Sequence, residues 1–334
     1  PPADDDAVDL YLRARHAMRR DWYGGTGQSP LALLDAALAR APSDPSLLAA
    51  MATARARWPN GAEDLRTARA LAQRALTLAP RLAEAWEALA VVAGHLGTGV
   101  EAARVLRDAR GHVPRSALIG ARTARLLGEV STLEAAHAAF ATVLSGGETT
   151  FDTRCYAARV YLLGRQPAGA LALVSDCPEG AEDEPLAHGM RARTALWFSN
   201  KAVLPPAPKS RRGLAALFVH AAIAAVNGDR EQALEVEKAM VAALPDLPFP
   251  VRPFLWQLCA EVLGTLGLAD LAMDRVRSAV DADLADRAWF DHCAAIDGLR
   301  QLPGFAALRA TVAARADAIL EALEGGSPEG SHPG

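Results

Sequence analysis

Aromatic residues make up 5% of the 334-residue chain, and lysine occurs only at positions 201, 209 and 238. The other basic residues are arginines, and the net charge is −4. Such a balance gives no basic field of the kind that binds nucleic acid. Cysteine is sparse: positions 155, 177, 259 and 293 lie far apart and form no C-x-x-C. That spacing argues against a zinc site or a disulfide frame and fits buried thiols of a reducing, cytoplasmic compartment. Long apolar runs are missing too. The longest, LAALFVHAAIAAV (214–226), has His220 inside it and falls short of the roughly 20 residues that span a membrane. The opening PPADDDAVDLY has no methionine and no basic-then-apolar leader, so it reads as the start of a piece cut from a longer protein. The closing GGSPEGSHPG (325–334) reads as a disordered tail.

Catalytic patterns are equally scarce. The sequence contains no G-x-S-x-G, no H-E-x-x-H, no His-Arg-Asp and no Asp-Phe-Gly, so neither a hydrolase elbow nor a kinase core is expected here. Two glycine clusters, GHLGTG (94–99) and DWYGGTGQSP (21–30), lack the lysine of a phosphate loop and follow helical runs instead of strands. Both read as turns, with Ser29-Pro30 as the N-cap and first residue of a helix. Asp291-His292-Cys293 places its histidine beside its cysteine in sequence, so the two side chains diverge on a helix, and Cys293 reads as structural. His220 reads as a hydrogen-bonded core histidine. The acidic groups Asp4–Asp6, Glu182–Glu184 and Asp281/Asp283/Asp286 lack the glycine and glutamate of a calcium loop and read as solvated. No catalytic residue, cofactor or metal is expected.

What the chain has in abundance is alanine, at a fixed period. Ala90 and Ala102 lie twelve apart, and the same pair recurs at 56/68, 124/136 and 158/170, stepping by 34. After an irregular stretch it returns at 221/233 and 260/272. A 34-residue step is that of a helix–turn–helix repeat. The alanines have a physical reason. Two helices joined by a short turn come closest at one point, where only a small side chain fits, and each helix needs one there. Trp86, Leu89, Leu106 and Ala109 surround that contact, and Pro114 ends the unit.

These residues resemble the tetratricopeptide repeat (TPR) family. AEAWEALAVVAGHLGTGVEAARVLRDARGHVP (83–114) follows its pattern, with Trp86 in the first large slot, Gly97 at the turn and Ala102 in the second helix. Units 117–148, 214–245 and 253–284 follow it more loosely. The resemblance implies an all-α, right-handed helical solenoid of about eight antiparallel helix pairs with a C-terminal cap. The cap is expected over 286–320, where Leu299-Arg300 and Pro303-Gly304-Phe305-x-x-Leu308 resemble the end of TPR tails in large bacterial signalling proteins, Ser/Thr kinases among them. Residues 179–212 interrupt the register, and Pro205-Pro206 forbids a regular helix there. The expected organisation is a solenoid half over 1–178, an irregular repeat or hinge over 179–212, and a second half over 213–324.

The resemblance also implies that partners bind along the concave face, through the inward positions of each unit's first helix. Here those positions hold Glu84, Glu87, Val91 and His95; Leu118, Arg125 and Glu129; Asp152, Arg159 and Leu163; then Phe218, Phe254, Gln257 and Glu261. Arg125 and Arg159, one repeat apart, offer two guanidiniums to a carboxylate, or pair with Glu129 and Asp152 beside them. The implied role is non-catalytic: a protein- or peptide-binding or sensing module of a larger bacterial signalling protein. A free-standing adaptor and a small-ligand sensor are the alternatives.

Overall fold

The computed structural model describes residues 4–20, 29–57, 59, 61–96, 99–147, 149–177, 184–211, 213–246 and 251–325. Among them every regular element is a helix. Helices pack on their chain neighbours in pairs: α1 (Asp5–Arg20) on α2 (Pro30–Arg40), α3 (Pro45–Arg57) on α4 (Ala62–Leu78), and α5 (Ala83–Leu96) on α6 (Gly99–His112). The series continues with α7 (Ala117–Val130) on α8 (Leu133–Ser145) and α9 (Phe151–Leu163) on α10 (Pro167–Val174). Next comes α11 (Glu184–Phe198), and then α12 (Leu214–Asn227) on α13 (Arg230–Ala242) and α14 (Arg252–Thr265) on α15 (Ala269–Asp281). The connections are short, so partners run antiparallel. The architecture is an all-α, TPR-like solenoid. Helix starts are fixed locally: the hydroxyls of Ser116, Thr132 and Thr150 and the carboxylate of Asp229 each accept the backbone N–H three residues on.

The alanine register holds. Ala56, Ala68, Ala90, Ala124, Ala136, Ala158, Ala170, Ala221, Ala233, Ala260 and Ala272 are all buried, while Ala102 is half-buried. The glycine question is answered by the neighbours: Gly94, His95 and Leu96 end α5 and Gly99 opens α6, so among the described residues this cluster lies at helix ends and follows no strand. The turn residues Gly97 and Thr98 themselves lie outside the described residues, as do 21–28 of the other cluster, most of the 178–185 loop and the 326–334 tail. Ser29 is the N-cap of α2 with Pro30 in its first turn.

The irregular unit is α11 without a second helix. A 3₁₀ turn (Lys201–Val203) leads into extended chain that buries Pro205, and α11 packs on α12 instead. One apolar cluster runs through this stretch without a break, from Phe151 and Leu162 through Leu196 and Trp197 to Phe218, Leu258 and Phe290. The expected boundary between two halves therefore falls inside a shared core.

The C-terminal segment decides the shape. After α15 come α16 (Arg287–His292), a 3₁₀ segment (Ala294–Leu299) and α17 (Phe305–Glu324). Helix α16 touches α7 and α9, and the 3₁₀ segment lies on α14, α11 and α15. There Gly264 is required: a Cβ on it would sit 2.2 Å from the carbonyl oxygen of Ala295. Helix α17 starts in the large core with Phe305 and Val312. It ends in a second core with Ala103, Leu106 and Ile119, supplying Ala316, Ile319 and Leu323. This helix thus rests on α6 and α7, so the stack closes on its own third and fourth pairs.

Candidate interaction surface

The inner positions of the first helices divide into a filled part and an open part. In the filled part, Glu261 on α14 is fully buried. Its Oε2 accepts from Arg193 Nε at 2.9 Å and Trp197 Nε1 at 2.8 Å, and its Oε1 accepts from Trp289 Nε1 at 2.8 Å and from the Arg193 terminal nitrogen. Arg193 also lies over the rings of Trp197 and Phe254. Four donors on one carboxylate meet the requirement for a buried charge: a counter-charge and satisfied lone pairs. One turn earlier on the same helix, Gln257 donates to Asp286 Oδ2 at 2.8 Å, and Arg159 pairs with that same oxygen. Asp286 Oδ1 accepts from the Trp289 backbone and so caps α16. Arg159 also donates to the carbonyl of Gly128. Burial works against the Arg159 charge, yet Asp286 beside it holds its pKa above the ordinary value.

These contacts change several expectations. Arg159, Leu163, Phe218, Gln257 and Glu261 are buried; their face is covered from within the chain, in large part by α16 and the 3₁₀ segment. Arg159 does hold a carboxylate, but it is Asp286, 127 positions away. Asp286, read as solvated, is 6% exposed. His220 has a buried Nε2 with no hydrogen-bond partner among the described residues, unlike the bonded core histidine expected.

The open part spans α5, α7 and α9. Glu84, Glu87, Val91 and His95 on α5, Leu118, Arg125 and Glu129 on α7, and Asp152 on α9 are all half-buried. Arg122 bridges two helices by donating to Glu87 Oε1 at 2.7 and 2.5 Å. Arg125 pairs with Glu129 at 3.7 Å and lies 4.1 Å over the Tyr156 ring, a cation–π contact. Burial pushes the Glu129 carboxyl up, against the pull of Arg125. It also pushes the Tyr156 phenol up and the His95 imidazole down to about 4. Phe254 is 39% exposed at the start of α14. The strip therefore offers paired charges of both signs, a tyrosine face and apolar side chains.

Other reactive groups are tied up. Cys293 is fully buried, and burial raises its thiol well above the ordinary value. Cys259 is raised in the same way, by burial and then by Glu237, which pairs with Arg275 at 2.7 Å. A hollow of about 410 Å³ beside Ser131 and His292 is walled by Arg287 and Arg309, already paired with Asp317 and Asp291. Among the described residues no group of three or more His, Cys, Asp or Glu stands ready for a metal, and no helix is long and apolar enough to cross a membrane.

No family model and no curated protein matches this chain. Among solved structures, one of Naa15/Naa10 bound to HypK-THB is similar over 91% of this chain, at 17% identity and a TM-score of 0.33. This chain spans 41% of that one. Yeast Tom70 is similar over 96% of this chain and 88% of its own length, at 12% identity and a TM-score of 0.28.

Sequence reading missed Arg122, Tyr156, Arg193 and Asp286. One signal was present: Gln257 and Glu261 stand one turn apart in the otherwise apolar FLWQLCAEVL. Two polar side chains on a helix apolar all round point to a partner buried with them.

Proposed function

We propose that this chain is a non-catalytic protein-binding module whose contact surface is the strip of α5, α7 and α9 left uncovered by the C-terminal segment. The observation that carries this reading is the division of the inner face. Its second part is filled, while Glu84, Leu118, Arg125 and Asp152 stay accessible on adjacent parallel helices. Paired charges beside a tyrosine ring suit a peptide held by many shallow contacts. The parent protein fits a larger bacterial signalling protein, of the Ser/Thr kinase kind, on the sequence resemblance of residues 286–320 to the end of the TPR tails of such proteins.

The test compares partner recovery by wild type and by the double variant Glu84→Arg, Arg125→Glu, quantified by mass spectrometry. Neither residue sits at an inter-helix alanine contact, so the thermal melt should be kept while specific partners fall by about tenfold or more. Control changes at the exposed Leu12 and Leu78 should leave recovery intact. Equal recovery by the double variant would remove the strip from consideration.

A further inference from the structure

Positive charge is gathered in one stretch of this acidic chain. Between positions 66 and 115 stand eight arginines and four carboxylates, where the whole chain has a net charge of −4. Three of those four carboxylates are taken: Glu101 by Arg69, Asp108 by Arg107 and Glu87 by Arg122. Arg74, Arg81, Arg104, Arg110 and Arg115 are exposed and have no carboxylate partner among the described residues. Of these, Arg74 donates to the Ser43 hydroxyl and Arg110 to the Leu323 carbonyl. Placement follows the repeat. Arg81 and Arg115 each come directly after a proline that ends a unit, Pro80 and Pro114, and stand 34 positions apart. They therefore occupy the same slot at the α4–α5 and α6–α7 junctions, on one edge of the stack. Trp86 lies between these junctions. Its indole N–H donates to the Pro80 carbonyl at 2.9 Å, and its ring lies 4.8 Å from that of His112 at the end of α6. Basic residues at a helix end commonly answer its last carbonyls, as Arg110 does for α17. Among the described residues neither Arg81 nor Arg115 makes such a bond, and both stand in solvent.

We propose that this edge docks an acidic, extended segment of a partner protein. A guanidinium takes a carboxylate through two parallel hydrogen bonds. Packed helices lie about 10 Å apart, and three residues of extended chain span about the same distance. Carboxylates three positions apart thus meet Arg81 and Arg115 together, and a side chain between them falls on the Trp86–His112 pair. The fixed step from one unit to the next favours a chain of defined spacing over a lipid surface, whose headgroups have none. The surface shares no residue with the α5–α7–α9 strip, so either can fail without the other.

The test uses the full chain and a fluorescein-labelled peptide, Ser-Glu-Glu-Leu-Glu-Glu-Ser, titrated by anisotropy at low salt. Wild type should bind it and should not bind the same peptide with glutamine in place of each glutamate. Arg81→Glu with Arg115→Glu should weaken binding at least about tenfold and keep the thermal melt, since both side chains are exposed. Should that variant not fold, Arg81→Gln with Arg115→Gln should give a smaller loss in the same direction. Lys209→Glu with Arg211→Glu makes the same change of net charge on another face and should stay within about twofold of wild type. Equal loss in that control pair would reduce the effect to overall charge and overturn the proposal. No binding by wild type, or unchanged binding by the Arg81 and Arg115 variants, would overturn it too. Phosphatidylserine vesicles and a single-stranded oligonucleotide are run in parallel. Tighter binding of either, lost in the same variant, would assign the edge to that anion and overturn the acidic peptide.

Discussion

Trp289 donates its indole N–H to Glu261 at 2.8 Å, and this bond, with that of Gln257 to Asp286, ties the short helix after the last repeat to the inner face of the last repeat. The carboxylate also answers Trp197 and Arg193. Glu261→Gln keeps the shape but strands the Arg193 charge. Breaking one side of a buried pair costs about 3–5 kcal/mol, and the chemical-denaturation midpoint should fall accordingly. The double variant Arg193→Leu, Glu261→Gln strands no charge and should be more stable than Glu261→Gln alone. The opposite order would mean that Arg193's contacts with the Trp197 and Phe254 rings outweigh the cost of its unpaired charge.

Ala90→Leu and Ala124→Leu each push a larger side chain into an inter-helix contact and should cost about 1–3 kcal/mol. Ala135→Leu and Ala307→Leu, at exposed positions, should be close to neutral. Thermal melts of the four variants measure this, and indistinguishable melting temperatures would break the 34-residue register.

His95 carries a pH signature. Its folded pKa lies near 4 because burial disfavours the imidazolium. Below its ordinary value of 6.5 the unfolded chain takes up a proton that the folded chain refuses. The stability His95 contributes is therefore whole above about pH 6.5 and drains away as the pH falls toward 4, by an amount on the order of 2 kcal/mol. Melts of wild type and His95→Gln between pH 4 and 7 should show a shallower acid loss for the variant. Parallel curves would place the imidazole in water.

Trypsin has an exposed target in the irregular chain at Lys209 and Arg211, where Arg211 pairs with the exposed Glu235. Cleavage should begin there before it begins within 83–170. Because the apolar cluster crosses this region, the fragments should co-elute in size exclusion. Fragments that separate would establish two independent halves.

The repeat was legible because its cause is local and recurrent. A close helix contact needs a small residue on each side, and the same need returns every 34 residues. The helix pairs 117–145, 214–242 and 252–281 came out within one residue of the expected units for that reason. The filling of the inner face was not legible in the same way. Arg159, Gln257 and Glu261 look like surface residues when read alone, and their partners Asp286, Trp289 and Arg193 are set by where a distant segment lands. Position in a repeat tells which way a side chain points, but not what the rest of the chain puts in front of it. Arg125 illustrates the boundary: its partner Glu129 is one turn away, and that pairing was among those expected.

The closure also fixes an order of events during synthesis. Arg107 and Arg110 leave the ribosome more than two hundred residues before Ala322 and Leu323, which they hold. The early helices α1–α7 can form their local contacts as they emerge, since these join neighbours in the chain. Through that whole interval the groove of Ala103, Leu106 and Ile119 stands bare on the nascent chain. For that interval the apolar side chains that α17 later covers have no cover from this part of the chain.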